Sequence, residues 1–300
     1  MGIILYILMQ VAVLVVVGIV GSIIMAVLGI RISPQAYGGL FVMCAIFGCV
    51  GSIISLFLSK SMCIRAYGVQ IIERPNNRAE EFLVREIASM AQRAGIGMPQ
   101  VGIYYSADPN AFATGASKNN ALVAVSSGLL NNMNDDEIRG VLGHEITHIA
   151  NGDMVTMSLL QGVLNTFVYF FSYIAAQAVS GFGRSDDEEG NGGGNIFIFY
   201  MVQSLFQALF GVLATMIAMW FSRWREYRAD AGSAHLEGSY RMISALQALQ
   251  RLSSIETQKE GQFSAFCING GKVGLSELFM SHPPLEKRIA ALRAAMQQQR

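Results

Sequence analysis

Long uncharged stretches limit what this chain can become more than any other feature. Residues 2–30, 38–59, 154–183 and 195–222 contain no Asp, Glu, Lys or Arg. A helix needs roughly 20 mostly apolar residues to cross a bilayer. Within hydrocarbon only helices and closed barrels satisfy their own backbone polar groups. The runs therefore predict four membrane helices in two hairpins, about 3–30 with 38–59 and about 155–180 with 196–221. The composition agrees: 14% of the 300 residues are charged and 52% hydrophobic, against about 25% charged in a soluble domain. The first run lacks a basic leader and is too long for the apolar part of a secretory signal, so a span is expected there. Gln161, Asn165, Gln177, Gln203 and Gln207 make the second pair the more polar one.

With four spans, the polar pieces 60–153 and 223–300 fall on one side and form a single domain split by the hairpin 154–222, with the hairpin 1–59 as its leading anchor. Lys60, Arg65, Arg74 and Arg78 follow the second run, and Arg223, Arg225 and Arg228 follow the fourth. The connector after the third run, by contrast, opens Arg184-Ser185-Asp186-Asp187-Glu188-Glu189 and continues into glycines. The excess of positive charge beside the split domain predicts that it faces the cytoplasm. A net charge of zero gives no basis for a nucleic-acid surface. Cys44, Cys49, Cys63 and Cys267 form no C-x-x-C pair, so neither a disulfide framework nor a cysteine metal site is expected.

Within the polar pieces, Phe82, Leu83, Ile87, Met90 and Ala91 recur at helical spacing over 80–94, ending near Gly95. Segments 100–105, 110–114 and 121–126 read as strands, the last two joined as a hairpin through 115–120. Asn134 followed by Glu137 is a capping-box signature. It opens a helix from Asp135 to about Ala150, with Gly152 near its end. Further helices are expected over 239–252 and 284–296.

The helix after Asn134 carries His144-Glu145-Ile146-Thr147-His148. Residues four apart share a helix face, so His144 and His148 can hold one metal ion. Glu145, turned about 100° from His144, can reach a water beside that ion without being a ligand. This is the logic of H-E-x-x-H in zinc peptidases. A catalytic zinc takes three protein ligands. Six residues beyond His148, where one class of zinc proteases places a third histidine, stands Met154. A carboxylate from a later helix is the other common choice. Glu226 and Asp230 qualify, four apart in Arg225-Glu226-Tyr227-Arg228-Ala229-Asp230. One would bind the metal and the other accept a hydrogen bond from a ligand imidazole; spacing does not say which.

These motifs, with Asn110-Ala111-Phe112-Ala113 before them and Ser281-His282-Pro283-Pro284-Leu285-Glu286-Lys287-Arg288-Ile289 after, resemble the HtpX-like membrane metalloproteases, relatives of the CAAX prenyl proteases of the Ste24 type. The resemblance covers essentially the whole chain and departs at no metal position. It implies an α-helical membrane protein bearing an α+β zincin-like (gluzincin) domain, with an H-E-x-x-H helix and a small β-sheet. It implies one Zn²⁺ per subunit on His144, His148 and Glu226, with Glu145 as the catalytic acid/base and Asp230 orienting a ligand histidine. His282 and Arg288 are candidates to steady the transition state, pair with a carboxylate or contact substrate. Asn110, Ala111, Phe112 and Ala113 are candidates to pair with an extended substrate strand. The implied function is a multi-pass endopeptidase of the bacterial inner membrane that removes misfolded or damaged membrane proteins under stress. Its partners would be such polypeptides, the bilayer, and other quality-control proteases of that membrane. Two other functions fit the motifs: a processing protease of narrow specificity, and a scaffold that binds zinc without catalysis. His235 has no supporting context and is expected at the surface.

Overall fold

The computed structural model describes residues 34–181, 192–259 and 280–298. The span expected at about 3–30 and the acidic run 184–189 lie outside the described residues. The elements are α1 (Pro34–Tyr67), β1 (Gln70–Ile71), α2 (Arg78–Ala94), β2 (Gln100–Tyr104), β3 (Ala111–Ser117), β4 (Asn120–Ser126), α3 (Ser127–Asn132), α4 (Asp135–Asn151), α5 (Asp153–Gly181), α6 (Gly192–Glu237), α7 (Ser239–Lys259) and α8 (Leu285–Gln298). The described residues fall into two compact units, which lie within Met1–Ser55 with Met157–Ala218 and within Leu56–Thr156 with Met219–Arg300.

Among the described residues three helices are long and apolar enough to cross a membrane, within Gly38–Tyr67, Asp153–Ser180 and Ile196–Glu237. Two outrun their uncharged stretches. The helix of the second run continues past Ser59 to Tyr67, and that of the fourth continues past Ser222 to Glu237. Helical propagation adds a hydrogen bond per residue, so a helix need not stop where its apolar run stops. Inside the first unit, α1 and α5 cross closely. A Cβ on Gly48 would lie 2.6 Å from Thr166 Oγ1, so only glycine permits that approach. Phe41 meets Phe170 edge-on at 5.4 Å nearby.

The second unit is an α+β domain around a four-stranded sheet of order β1-β2-β4-β3. Its outer pairs are antiparallel and its inner pair, β2 with β4, is parallel. The hairpin expected between β3 and β4 forms, with Thr114 opposite Leu122 and a bulge at Gly115/Ser117. β3 runs three residues longer than its sequence pattern, which shrinks the expected connection 115–120 to Lys118-Asn119. β3 lies at one edge of the sheet, and among the described residues its outer side has no partner strand.

Local chemistry accounts for the helix limits. Asn77 Oδ1 accepts the Glu80 amide, and Gly95 takes a left-handed cap at φ 65°. The Asn134–Glu137 capping box forms reciprocally, and Gly152 closes α4 at φ 71°. Leu83, Ile87 and Met90 of α2, Val123 and Val125 of β4, and Ile138, Leu142 and Ile146 of α4 meet in one core with Ala245 and Ala248 of α7. α4 thus lies buried between the sheet, α2 and α7. Its contact with α6 depends on small residues. A Cβ on Gly143 would lie 2.7 Å from Ser233 Oγ, and one on Gly232 would collide with Thr147. The Ser233 hydroxyl donates to Gly140 O at 2.8 Å. This glycine-lined approach brings α6 carboxylates to α4 histidines.

Candidate metal centre

His144 and His148 stand one above the other on α4, their ring centroids 4.6 Å apart. Their Nε2 atoms are 3.1 Å from each other. The Glu226 carboxylate of α6 bridges them, with Oε1 3.3 Å from His148 Nε2 and Oε2 3.4 Å from His144 Nε2. A tetrahedral ion with ligand bonds of 2.0–2.1 Å separates its donors by about 3.3 Å. The three observed separations fall at that edge length, so the donors present fit one such ion.

The other nitrogen of each ring is committed. His144 Nδ1 lies 3.0 Å from Asp230 Oδ1, and His148 Nδ1 lies 2.6 Å from Asp153 Oδ2. A proton on Nδ1 in both rings leaves both Nε2 lone pairs for the shared point. The surrounding acids favour positive charge there. Burial works against a charged His148 ring, but hydrogen bonds to Asp153 and Glu226 outweigh it and push its pKa up to about 10. His144 is raised likewise: burial opposes the charge, and Asp230 and Glu226 prevail. A divalent ion supplies the positive charge that these acids otherwise draw from protons.

Glu145 is the next residue on α4 and does not join the triad. Burial raises its pKa from the usual carboxylate range, against the opposing pull of the two histidines. The Ala113 amide of β3 donates a hydrogen bond to it. A carboxyl tuned towards neutrality and held at a metal cleft can shuttle protons.

The last motif closes the site from α8. Arg288, only 6% exposed, gives Nε and Nη2 to the two oxygens of Asp230 at 2.8 and 2.5 Å. Its Nη1 lies 3.4 Å from Glu226 Oε2. His282 donates Nδ1–H to Glu226 Oε2 at 2.7 Å while most of its ring faces solvent. Arg288 therefore sits among the carboxylates near the triad, and His282 over the mouth. His144, Glu145, Glu226, His282 and Arg288 share a cavity of about 490 Å³ with Asn110 and Ala111 at the start of β3. Phe112 points to the other sheet face, packed on Tyr104 and Tyr67 at ring distances of 5.6 and 5.2 Å. His235 is exposed, as expected, and lines another cavity with Asp230 and Arg288.

Sequence reasoning missed Asp153 and Arg225. Asp153 is 3% exposed and anchors His148, while Arg225 Nη1 donates to the Asp153 carbonyl at 3.0 Å. The available signal was an acid directly after a left-handed glycine, five residues past the second histidine.

Two imidazoles and a carboxylate converge at tetrahedral spacing, a further carboxylate stands beside them, and the edge strand β3 runs along the cleft. Metal-assisted cleavage of a peptide bond needs these elements together, and the class they define, with apolar helices in the same chain, is the membrane metallopeptidases. Comparison with known proteins narrows the class. Residues 77–296 match the model of peptidase family M48, and the chain belongs to that family. It is 55% identical over 291 residues to Protease HtpX of Actinobacillus pleuropneumoniae serotype 5b (strain L20), covering 97% of this chain and 98% of the relative. Identity to Protease HtpX of Photorhabdus laumondii subsp. laumondii is 52% over 296 residues, 98% of each chain. The crystal structure of S. mikatae Ste24p shares the fold, with a TM-score of 0.62 at 20% identity. That match takes in 84% of this chain and 58% of the Ste24p chain.

Proposed function

We propose that the chain is a zinc-dependent endopeptidase of the bacterial inner membrane that cleaves misfolded or damaged membrane proteins on their cytoplasmic side. The observation that carries this reading is the triad of His144, His148 and Glu226 at tetrahedral edge distances, with Glu145 adjacent and outside it. Two imidazoles and one carboxylate form a donor set suited to catalytic zinc, whereas structural zinc takes four protein ligands. Among the described residues the group of possible ligands has three members, which favours catalysis over a scaffold. When bound, zinc would acidify a water and stabilise negative charge on the substrate oxygen.

The remaining steps belong to the chain's own side chains. An extended substrate adds to the edge of β3, which has no partner strand among the described residues, and main-chain pairing holds it with little demand on its sequence. That suits an enzyme with many damaged substrates better than one with a single processing site. Glu145, steadied by the Ala113 amide, takes a proton from the attacking water and delivers one to the departing amine. His282 keeps Nδ1–H on Glu226, and in its doubly protonated form, the one in which both ring nitrogens are donors, Nε2–H donates to the carbonyl oxygen as charge develops there. Asp230 and Arg288 act by position, holding His144 and Glu226. The cytoplasmic assignment rests on the basic residues that follow the second and fourth uncharged runs, and four spans remain part of the reading.

The test is zinc content and casein cleavage by purified protein, Glu145→Gln and Glu226→Ala in detergent. Glu145→Gln should keep its zinc and lose activity by about 10²–10⁴-fold, and Glu226→Ala should lose both. Full zinc in Glu226→Ala, or undiminished cleavage by Glu145→Gln, would refute the assignment.

A further inference from the structure

The chain has two tryptophans, and both fall where the uncharged run of α6 gives way to Arg223, Arg225 and Arg228. Trp220 and Trp224 are one helical turn apart and 63% and 47% exposed. With Arg223, Pro283, Pro284 and Lys287 they line a cavity of about 250 Å³. Arg223 Nη1 donates to Met280 O at 2.9 Å, which fixes its guanidinium at the rim. The Arg228 guanidinium stacks on Trp224, 4.8 Å from the ring centre.

This cavity does not belong to the metal cleft. At 100° per residue, Trp220, Arg223 and Trp224 face one way along α6, and Ser222, Glu226 and Asp230 face roughly a third of a turn away. Its depth follows from the helix itself, because Trp220 comes at the end of the apolar segment. Indole rings favour the headgroup layer, where an apolar body and a polar N–H are both accommodated. Lys and Arg stems lie along apolar surface there with their charges at the phosphates. Exposed indoles beside cations contribute little to packing a soluble core, but they match the two halves of a phospholipid at the glycerol level.

We propose that the cavity binds the headgroup of an anionic phospholipid, its phosphate between Arg223 and Lys287 and its glycerol region against the tryptophans. The inference goes beyond peptidase activity and has a consequence for it. Pro283 and Pro284 form one wall, and the residue before them, His282, holds Glu226 Oε2 at 2.7 Å. A lipid seated against the prolines braces the turn that carries His282.

The two tryptophans make the site its own reporter. Full-length protein is placed in vesicles of phosphatidylcholine containing a fixed fraction of brominated phosphatidylglycerol or of brominated phosphatidylcholine, and tryptophan quenching is measured. Brominated phosphatidylglycerol should quench more, with an enrichment of about fivefold per basic side chain. Lys287→Gln, which keeps the Arg223–Met280 bond, should lose about fivefold of that preference. Arg223→Gln with Lys287→Gln should abolish it while both lipids still quench equally. Glycerol phosphate in solution should not compete. Equal quenching by the two lipids in the unaltered protein overturns the proposal, as does displacement by glycerol phosphate or absence of quenching by either lipid. For the bracing role, cleavage should rise with phosphatidylglycerol in the unaltered protein and not in the double variant. Cleavage indifferent to headgroup would overturn that role while the quenching result stands by itself.

Discussion

Asp153→Asn should weaken metal binding and lower the stability of the metal-free protein. The Asp153 carboxylate is buried and accepts from His148 Nδ1 at 2.6 Å, a short charge-assisted bond of a kind that contributes about 1.5–3 kcal/mol. That bond fixes the tautomer that leaves Nε2 free. An asparagine of the same size removes the charge. If its amide nitrogen turns towards the ring, it favours the opposite tautomer. Loss of such an outer partner typically costs 10–100-fold in metal affinity, about 1.4–2.7 kcal/mol, which agrees with the bond's own range. The metal-free fold loses the same bond, so its stability falls as well. Asp153 is the first residue of α5, and removing a negative charge from a first helical turn costs about 0.3–1 kcal/mol. The assay is zinc retention against a chelator series, followed by metal content, with thermal unfolding of the metal-free protein alongside. The expected result is half-depletion at a chelator activity 10–100-fold lower than for the unaltered protein, with the metal-free unfolding midpoint lowered as well. Equal retention would show that the Asp153–His148 bond does not tune the ligand.

Gly232→Ala places a methyl against Thr147, so α6 must move away from α4. Overpacking of this kind costs about 1–3 kcal/mol, and lowered stability with reduced zinc occupancy is expected, read by thermal unfolding and metal analysis. Arg288→Lys keeps the charge but cannot span both Asp230 oxygens. It should lower activity and chelator resistance together, and unchanged values would remove Arg288 from the support of the site. Glu86 joins α2 to α4 through Arg139 at 3.1 Å. Burial tends to raise its pKa, but hydrogen bonds from Arg139 and Arg85 prevail and lower it. A carboxylate lowered in the folded state stabilises above its unfolded value and loses that contribution as pH falls through its folded value. The stability gap between the unaltered protein and Glu86→Gln should therefore be full above about pH 5 and close on further acidification. Thermal midpoints across that range check it, and a gap that widens in acid would refute the sign.

The legible parts of the site were those that depend on neighbours within one helix. His144, Glu145 and His148 need only 3.6-residue periodicity to share a face. The Asn134–Glu137 box and the glycine at 152 bound their helix through backbone valences that any sequence must satisfy. Asp153 was illegible because an acid after a capping glycine serves equally as a helix-opening residue. Only the 2.6 Å approach to His148 shows its second bond. The parallel pairing of β2 with β4 was illegible too, since period-two patterns specify faces and not neighbours.

Glu226 and Asp230 show the limit most clearly. Four apart on one face, they are equivalent to any argument from spacing, and each meets the chemical demand on a ligand. Their difference arises from contacts outside α6. Arg288 arrives from α8 and takes both Asp230 oxygens, which leaves that carboxylate facing Nδ1 of His144. Glu226, one turn nearer the apolar run, faces both Nε2 atoms. The glycine contact at Gly143 and Gly232 sets the height at which α6 passes α4. A shift by one turn along α6 would bring Asp230 to the place of Glu226. The choice between the two acids as proposed ligand is thus made by the packing of three helices, and the residues that decide it, Gly143, Gly232 and Arg288, are not among the proposed ligands.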